Sequence, residues 1–136
     1  MRELKLDEAR LERLDEVLAF LDGILEEVNC PARIQMQMDV AVEELYVNIA
    51  RYAYAPKAGP ATVRVEVGED RVLSVTFIDG GMPYDPLAKP DPDVTLSAEE
   101  RPIGGLGIYM VKKSMDKVDY RHQDGKNILT IRKKLG

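Results

Sequence analysis

A chain of 136 residues is long enough to bury one core and short for two, so a single domain over 1–136 is expected. Charged residues make up 32% with a formal net charge of −5, and no basic run or long apolar run occurs, which argues against direct nucleic-acid partners and membrane insertion. The N-terminus, MRELKLDEARLERLDE, is too charged for a signal peptide, and a lone Cys30 leaves no internal disulfide, so a cytoplasmic protein is expected.

Residues 2–6, RELKL, alternate and predict a short edge strand. Leu11, Leu14, Leu18, Leu21, Leu25 and Val28 then recur at steps of three and four, predicting a helix over 7–29 that Asp7 and Glu8 begin and Cys30-Pro31 ends. That stripe reads as a core face or, alternatively, as a seam between two copies. A second helix over 32–54 is apolar on two faces, Met38, Val42, Leu45 and Ile49 on one and Met36, Val40, Val47 and Ala50 on another, as for a helix between two layers. TVRVEV and VLSVTFI alternate, turning Val63, Val65, Val67 and Leu73, Val75, Phe77 inward, and Gly68-Glu69-Asp70 joins them as a hairpin. Residues 79–103 form a proline-dotted loop of the length that usually carries function. A third helix opens on the glycines of GGLGIYMVKKSM, and Val118, Tyr120, Ile128, Leu129 and Ile131 form a second hairpin turned at Asp124-Gly125. Helices gathered on one side of a mainly antiparallel sheet make an α+β, two-layer sandwich.

Three stretches carry chemistry. Glu44 and Asn48 are four residues apart and leave the same helix face, a proton acceptor beside an amide oxygen suited to Mg²⁺. The structural alternative is a solvated flank where Glu44 pairs with Arg51 or a lysine elsewhere, and periodicity does not choose between Glu43 and Glu44. In IDGGMPYDP an acid tips an apolar strand and two glycines follow. Asp79 either begins an Asx-type turn with Gly80 and Gly81 at positive φ, or holds an exocyclic amine above bare backbone. In IGGLGIYMV, Gly104, Gly105 and Gly107 open a helix whose free N–H groups suit phosphate, a hinge being the alternative. Met110 stands where the dinucleotide fingerprint needs a glycine, and the Gly-Lys-Ser/Thr of a P-loop is absent. His122 is the only histidine, which leaves no catalytic triad and no zinc site of the usual spacing.

Taken in order, EELYVNIARYAY, DGGMPYDP and GGLGIYMVKKSMDKVDYRHQDGKN resemble the N, G1 and G2 boxes of the GHKL ATP-binding superfamily. Within it, the chain resembles the stand-alone anti-sigma-factor serine kinases of bacterial partner-switching modules, over almost its whole length. The resemblance implies the Bergerat fold, with a mixed, mainly antiparallel sheet and helices on one face. It implies Glu44 as the catalytic base, Asn48 as the Mg²⁺ ligand, Asp79 as the holder of the adenine amine and Gly81 as the glycine beneath the ring. Gly105 and Gly107 fall at the phosphates, Pro83, Gly104, Leu106 and Ile108 join the nucleotide-binding set, and residues from about 85 to 104 form the ATP lid.

The implied activity is transfer of the ATP γ-phosphoryl group to a serine of a STAS-domain antagonist, with sequestration of a sigma factor by a homodimer. A nucleotide-dependent binding module without phosphotransfer is the alternative, and the catalytic half of a histidine kinase a third reading. The chain departs from the family at Tyr52, where many relatives carry histidine, and at Ile103, where some carry an arginine that Arg101 would have to replace. It departs again at Lys126-Asn127, where Gly-Thr is common; Asn127 is expected to donate to a phosphate.

Overall fold

The computed structural model describes residues 1–88 and 106–136. Five strands, β1 (Arg2–Leu6), β2 (Ala61–Val67), β3 (Val72–Asp79), β4 (Lys117–Gln123) and β5 (Lys126–Lys134), form one sheet in the order β1-β2-β3-β5-β4. Every pairing among the described residues is antiparallel, where the resemblance implied a mixed, mainly antiparallel sheet. Three helices, α1 (Leu14–Glu27), α2 (Ala32–Asn48) and α3 (Leu106–Ser114), accompany it.

The hairpins follow directly from side-chain alternation. Along β3, Leu73, Val75 and Phe77 are buried and their neighbours only partly so, one face turned to the core and the other to solvent. The β4–β5 turn places Asp124 at φ 54° and Gly125 at φ 75°, the two left-handed residues that a two-residue hairpin requires. The β2–β3 turn takes its left-handed residue from Arg71, at φ 63°, and not from a glycine. Arg71 is held there by its guanidinium, which donates to Val28 O at 2.9 Å, and by its carbonyl, which accepts from Leu135 N at 2.9 Å.

Both long helices depart from the periodicity reading at their ends or faces. The first begins later than residue 7, because Ala9 N donates to Gly59 O at 2.8 Å and Arg10 is extended; a short 3₁₀ turn, Leu11–Arg13, leads into α1. Its buried residues are Val17, Leu21, Ile24 and Leu25, and Leu14, Leu18 and Val28 pack against them partly buried, so the stripe serves as a core face, while Leu11 is exposed. On α2, Met38, Ala41, Val42, Leu45 and Tyr46 are buried, but Met36 and Val40 are exposed. The helix is therefore covered on one side and open on the second apolar face. Its last turn widens into a π-helical segment, Ile49–Ala53, a feature that concentrates at functional sites. Tyr46, wholly buried, donates to Arg10 O at 2.7 Å, and burial pushes its phenol up to about 12.

Between α1 and α2 lies an awkward carboxyl. Asp39 Oδ1 is buried with no hydrogen-bond partner, and burial, then Asp22, then Glu43 push its carboxyl from 3.8 up to about 7. The folded chain therefore holds a proton that the unfolded chain has released, and stability falls as pH rises from about 4 to about 7. Asp39→Asn is expected to remove this penalty. Its Tm advantage grows across that window and stays level above it, reaching about 3 °C, or under ~1 kcal/mol after solvent screening. Melts followed by circular dichroism from pH 5 to 8 check this; a constant difference between the two proteins would refute it.

Candidate functional site

The second half of α2 with its π turn, the end of β3, the start of β5 and the first turns of α3 enclose a cavity of about 770 Å³. That is the size of a pocket for a cofactor or nucleotide. Glu44, Asn48, Asp79, Ile108 and Asn127 all line it, with Phe77 and Leu129 supplying apolar wall. Three separately weak sequence signals thus meet at one place. Helical spacing brings Glu44 and Asn48 to the same side of α2, and strand register brings Asp79 opposite Asn127 across the β3–β5 pair.

Asp79 is 7% exposed, and its two oxygens differ. Oδ1 accepts from Gly81 N at 2.9 Å and from Asn127 Nδ2 at 2.9 Å, whereas Oδ2 has no hydrogen bond among the described residues. The carboxylate so presents one free acceptor, a match for an N–H donor such as an exocyclic amine. The Gly81 bond is the Asx-type turn expected of this stretch, but neither Gly80 nor Gly81 has positive φ. Glycine is required at 81 for a different reason. A Cβ there would lie 2.1 Å from Ala53 O at the end of the π turn, and Met82 N donates to that same carbonyl at 2.8 Å. Gly81→Ala is expected to force these backbones apart and cost about 2 kcal/mol, a fall of about 6–10 °C in Tm by calorimetry. A variant that melts within a degree of the parent would show that the contact is slack. Beside it, Tyr54 accepts from Gly80 N at 2.7 Å and donates to Pro60 O at 2.5 Å.

Glu44 is half-buried on the cavity wall, and Glu43 is exposed. The Glu44 carboxylate presses on the start of α3: a Cβ on Gly107 would fall 2.1 Å from both Cδ and Oε1. Gly107 therefore lets the acid stand beside the first described turn of α3, and a helix start of this kind carries unpaired N–H groups and the positive end of the dipole. No ion pair joins Glu44 to Arg51 or to a lysine among the described residues, and the acid lines the cavity there instead of a solvated flank. Arg51 instead lines the cavity as an exposed cation without an ion pair among those residues, a role that its position within the N box would have suggested. Asn48 is half-buried on the same wall, and Tyr52 is exposed at the rim.

Pro83 is exposed and does not line the cavity, which takes Met82, Tyr84 and Pro86 from that segment instead. The backbone of Leu106 opens α3 and Ile108 is buried beneath the site. Gly104, Gly105, Ile103 and Arg101 lie outside the described residues.

Asn127 calls for a correction. Both hydrogens of its amide nitrogen are engaged, on Asp79 Oδ1 and on Met82 O, each at 2.9 Å. Its Oδ1 accepts from Tyr84 N at 3.2 Å and from the Tyr120 hydroxyl. Burial raises the Tyr120 phenol, which keeps it a donor. A side chain saturated in this way, at 7% exposure and beside Asp79, is not available to a phosphate.

The histidine kinase-like ATPase domain family matches residues 8–133 of the chain. Among curated proteins, the serine/threonine-protein kinase BtrW of Bordetella bronchiseptica is 26% identical over 117 residues, covering 85% of this chain and 82% of that protein. The serine-protein kinase RsbW of Bacillus cereus is 31% identical over 96 residues, 68% of this chain, and the match spans 59% of RsbW. Two solved structures share the fold: the RsbU and RsbW domains of a Mycobacterium tuberculosis protein and the SiaB–SiaC complex from Pseudomonas aeruginosa. The first has TM-score 0.67 at 16% identity and covers 99% of this chain and 33% of that one. The second has TM-score 0.60 at 17% identity and covers 96% and 88%. The expected two-layer GHKL fold is thereby borne out. The chain belongs to the histidine kinase-like ATPase domain family, and the serine kinases BtrW and RsbW are among the relatives it resembles.

Proposed function

We propose that this protein is an ATP-dependent protein-serine kinase and anti-sigma regulatory factor. It phosphorylates a STAS-domain antagonist and holds a sigma factor, working as a cytoplasmic homodimer. The observation that carries the reading is the convergence of Glu44, Asn48, Asp79 and the first turn of α3 on one cavity.

In this reading Asp79 Oδ2 takes the adenine amine, and Gly81 keeps the backbone beneath the ring free of side chain. The first turn of α3 faces the phosphates with unpaired N–H groups. Glu44 accepts the proton of the incoming serine hydroxyl as its oxygen bonds to the γ-phosphorus and the bridging oxygen leaves with ADP. Magnesium fits the donor set: the Asn48 side chain makes no hydrogen bond among the described residues, and those residues hold no cluster of three His, Cys, Asp or Glu. A single hard oxygen suits an ion bound chiefly by substrate phosphates, and when bound it would offset their charge. Much of the catalysis is then placement: the serine arrives at a base already fixed against Gly107.

The decisive experiment incubates the purified protein with Mg-ATP and the STAS-domain proteins of its own genome, then maps phosphoserine by mass spectrometry. Phosphate on one serine of one of them is expected. Tight nucleotide binding with phosphate on none would replace the kinase with a nucleotide-gated binding module.

A further inference from the structure

We infer that Asn127 is the positioning residue that fixes the orientation of Asp79 and thereby sets the selectivity of the pocket for a 6-amino purine over a 6-oxo purine. The inference rests on the nucleotide reading above and adds to it a residue 48 positions away from the acid that it would govern.

Four hydrogen bonds meet on this one side chain. Its amide nitrogen donates to Asp79 Oδ1 and to Met82 O, and its oxygen accepts from Tyr84 N and from the Tyr120 hydroxyl. The partners come from β3, from the segment after it and from β4, so the amide is clamped from three directions and cannot flip without breaking all four bonds. A clamped amide nitrogen then fixes which oxygen of Asp79 is occupied. Together with Gly81 N it saturates Oδ1, and Oδ2 remains for the ligand. An ionised carboxylate accepts and does not donate. A purine bearing an amine at C6 gives it a hydrogen; one bearing a carbonyl sets two acceptors against each other. Without Asn127, Asp79 keeps only the Gly81 bond and is free to rotate, and the preference weakens.

The register explains why Asn127 is able to do this. Asp79 and Asn127 are directly opposed at the last pair of the β3–β5 ladder, both on its inward, buried face. Cross-strand neighbours of this kind touch without any help from loops.

The test compares ADP with IDP, which differ at C6 of the ring, by calorimetry on the full chain. The parent is expected to prefer ADP by tenfold or more. Asn127→Ala is expected to weaken ADP about tenfold and IDP by less than threefold, so that the ratio collapses. Tyr120→Phe removes one of the four bonds and leaves the amide in place. It is expected to shift the ratio the same way by about two- to threefold and serves if the alanine variant does not fold. In an Asp79→Asn background the preference should be inverted, and Asn127→Ala should bring the ratio back towards unity, because the same amide then holds the orientation of the asparagine. Equal losses for ADP and IDP in both single variants would make Asn127 a structural residue only and overturn the inference. Parent protein that binds neither nucleotide would overturn the nucleotide reading itself.

Discussion

Replacing Glu44 by glutamine is expected to lower phosphotransfer to the antagonist by about 10²–10⁴-fold while changing Mg-ATP affinity by less than about threefold. Glutamine keeps the size and planarity of the side chain, so its contact with Gly107 and the packing of α2 on α3 persist. What it loses is the basic carboxylate that accepts the serine proton, since an amide oxygen accepts a hydrogen bond but does not take up the proton. The neighbouring Glu43 supplies the control, because it is exposed while Glu44 lines the cavity; Glu43→Gln should leave transfer within about twofold. Radiolabel transfer from γ-labelled ATP measures the first quantity and calorimetry the second. Transfer that survives Glu44→Gln would remove this residue from the chemistry. Loss of affinity and rate together would instead assign it to nucleotide binding.

The choice between those two glutamates illustrates what one chain does and does not disclose. Helical spacing puts Glu44 in line with Asn48, but a neighbour one residue away is offset by only about 100°, and no local rule says which side the third helix will cover. That answer comes from the packing of Gly107 on the acid, across 63 residues of chain. The sheet was easier to read, because alternation along VLSVTFI and the Asp124-Gly125 turn are local properties that survive folding unchanged. The start of α1 was not legible, since it is set by a backbone bond between Ala9 and Gly59. Nor was the open face of α2: Met36 and Val40 look like core in a list of residues, and become surface only once one helix face is filled.

Asn127 marks the same boundary more sharply. In the chain it stands where a resemblance suggests a phosphate donor, and its residue type permits that. Only the register of β5 against β3 puts its amide on Asp79, and only the segment at Met82 and Tyr84 completes its hydrogen bonds. The motif identifies the neighbourhood, and the ladder then decides which polar atoms remain for a ligand.

Asp79→Asn follows from that arrangement and is expected to weaken ATP about 100-fold or more, while ITP weakens little or improves. Gly81 N and Asn127 Nδ2 both donate into the position of Oδ1, so an asparagine at 79 must place its carbonyl oxygen there. Its amide nitrogen then occupies the site of Oδ2 and faces the cavity as a donor. Against the adenine amine this sets donor against donor, with both left unpaired in a buried place, a loss of about 3 kcal/mol. Against the carbonyl of hypoxanthine it makes a hydrogen bond. The fold should tolerate the exchange, because all of Oδ1's existing partners keep an acceptor, and Tm should move by no more than about 3 °C. Calorimetric titration of both nucleotides into both proteins reads the result. ATP affinity unchanged by the exchange would mean that the adenine ring does not lie on Asp79. A loss shared equally by ATP and ITP would mean that the residue shapes the pocket without reading the base.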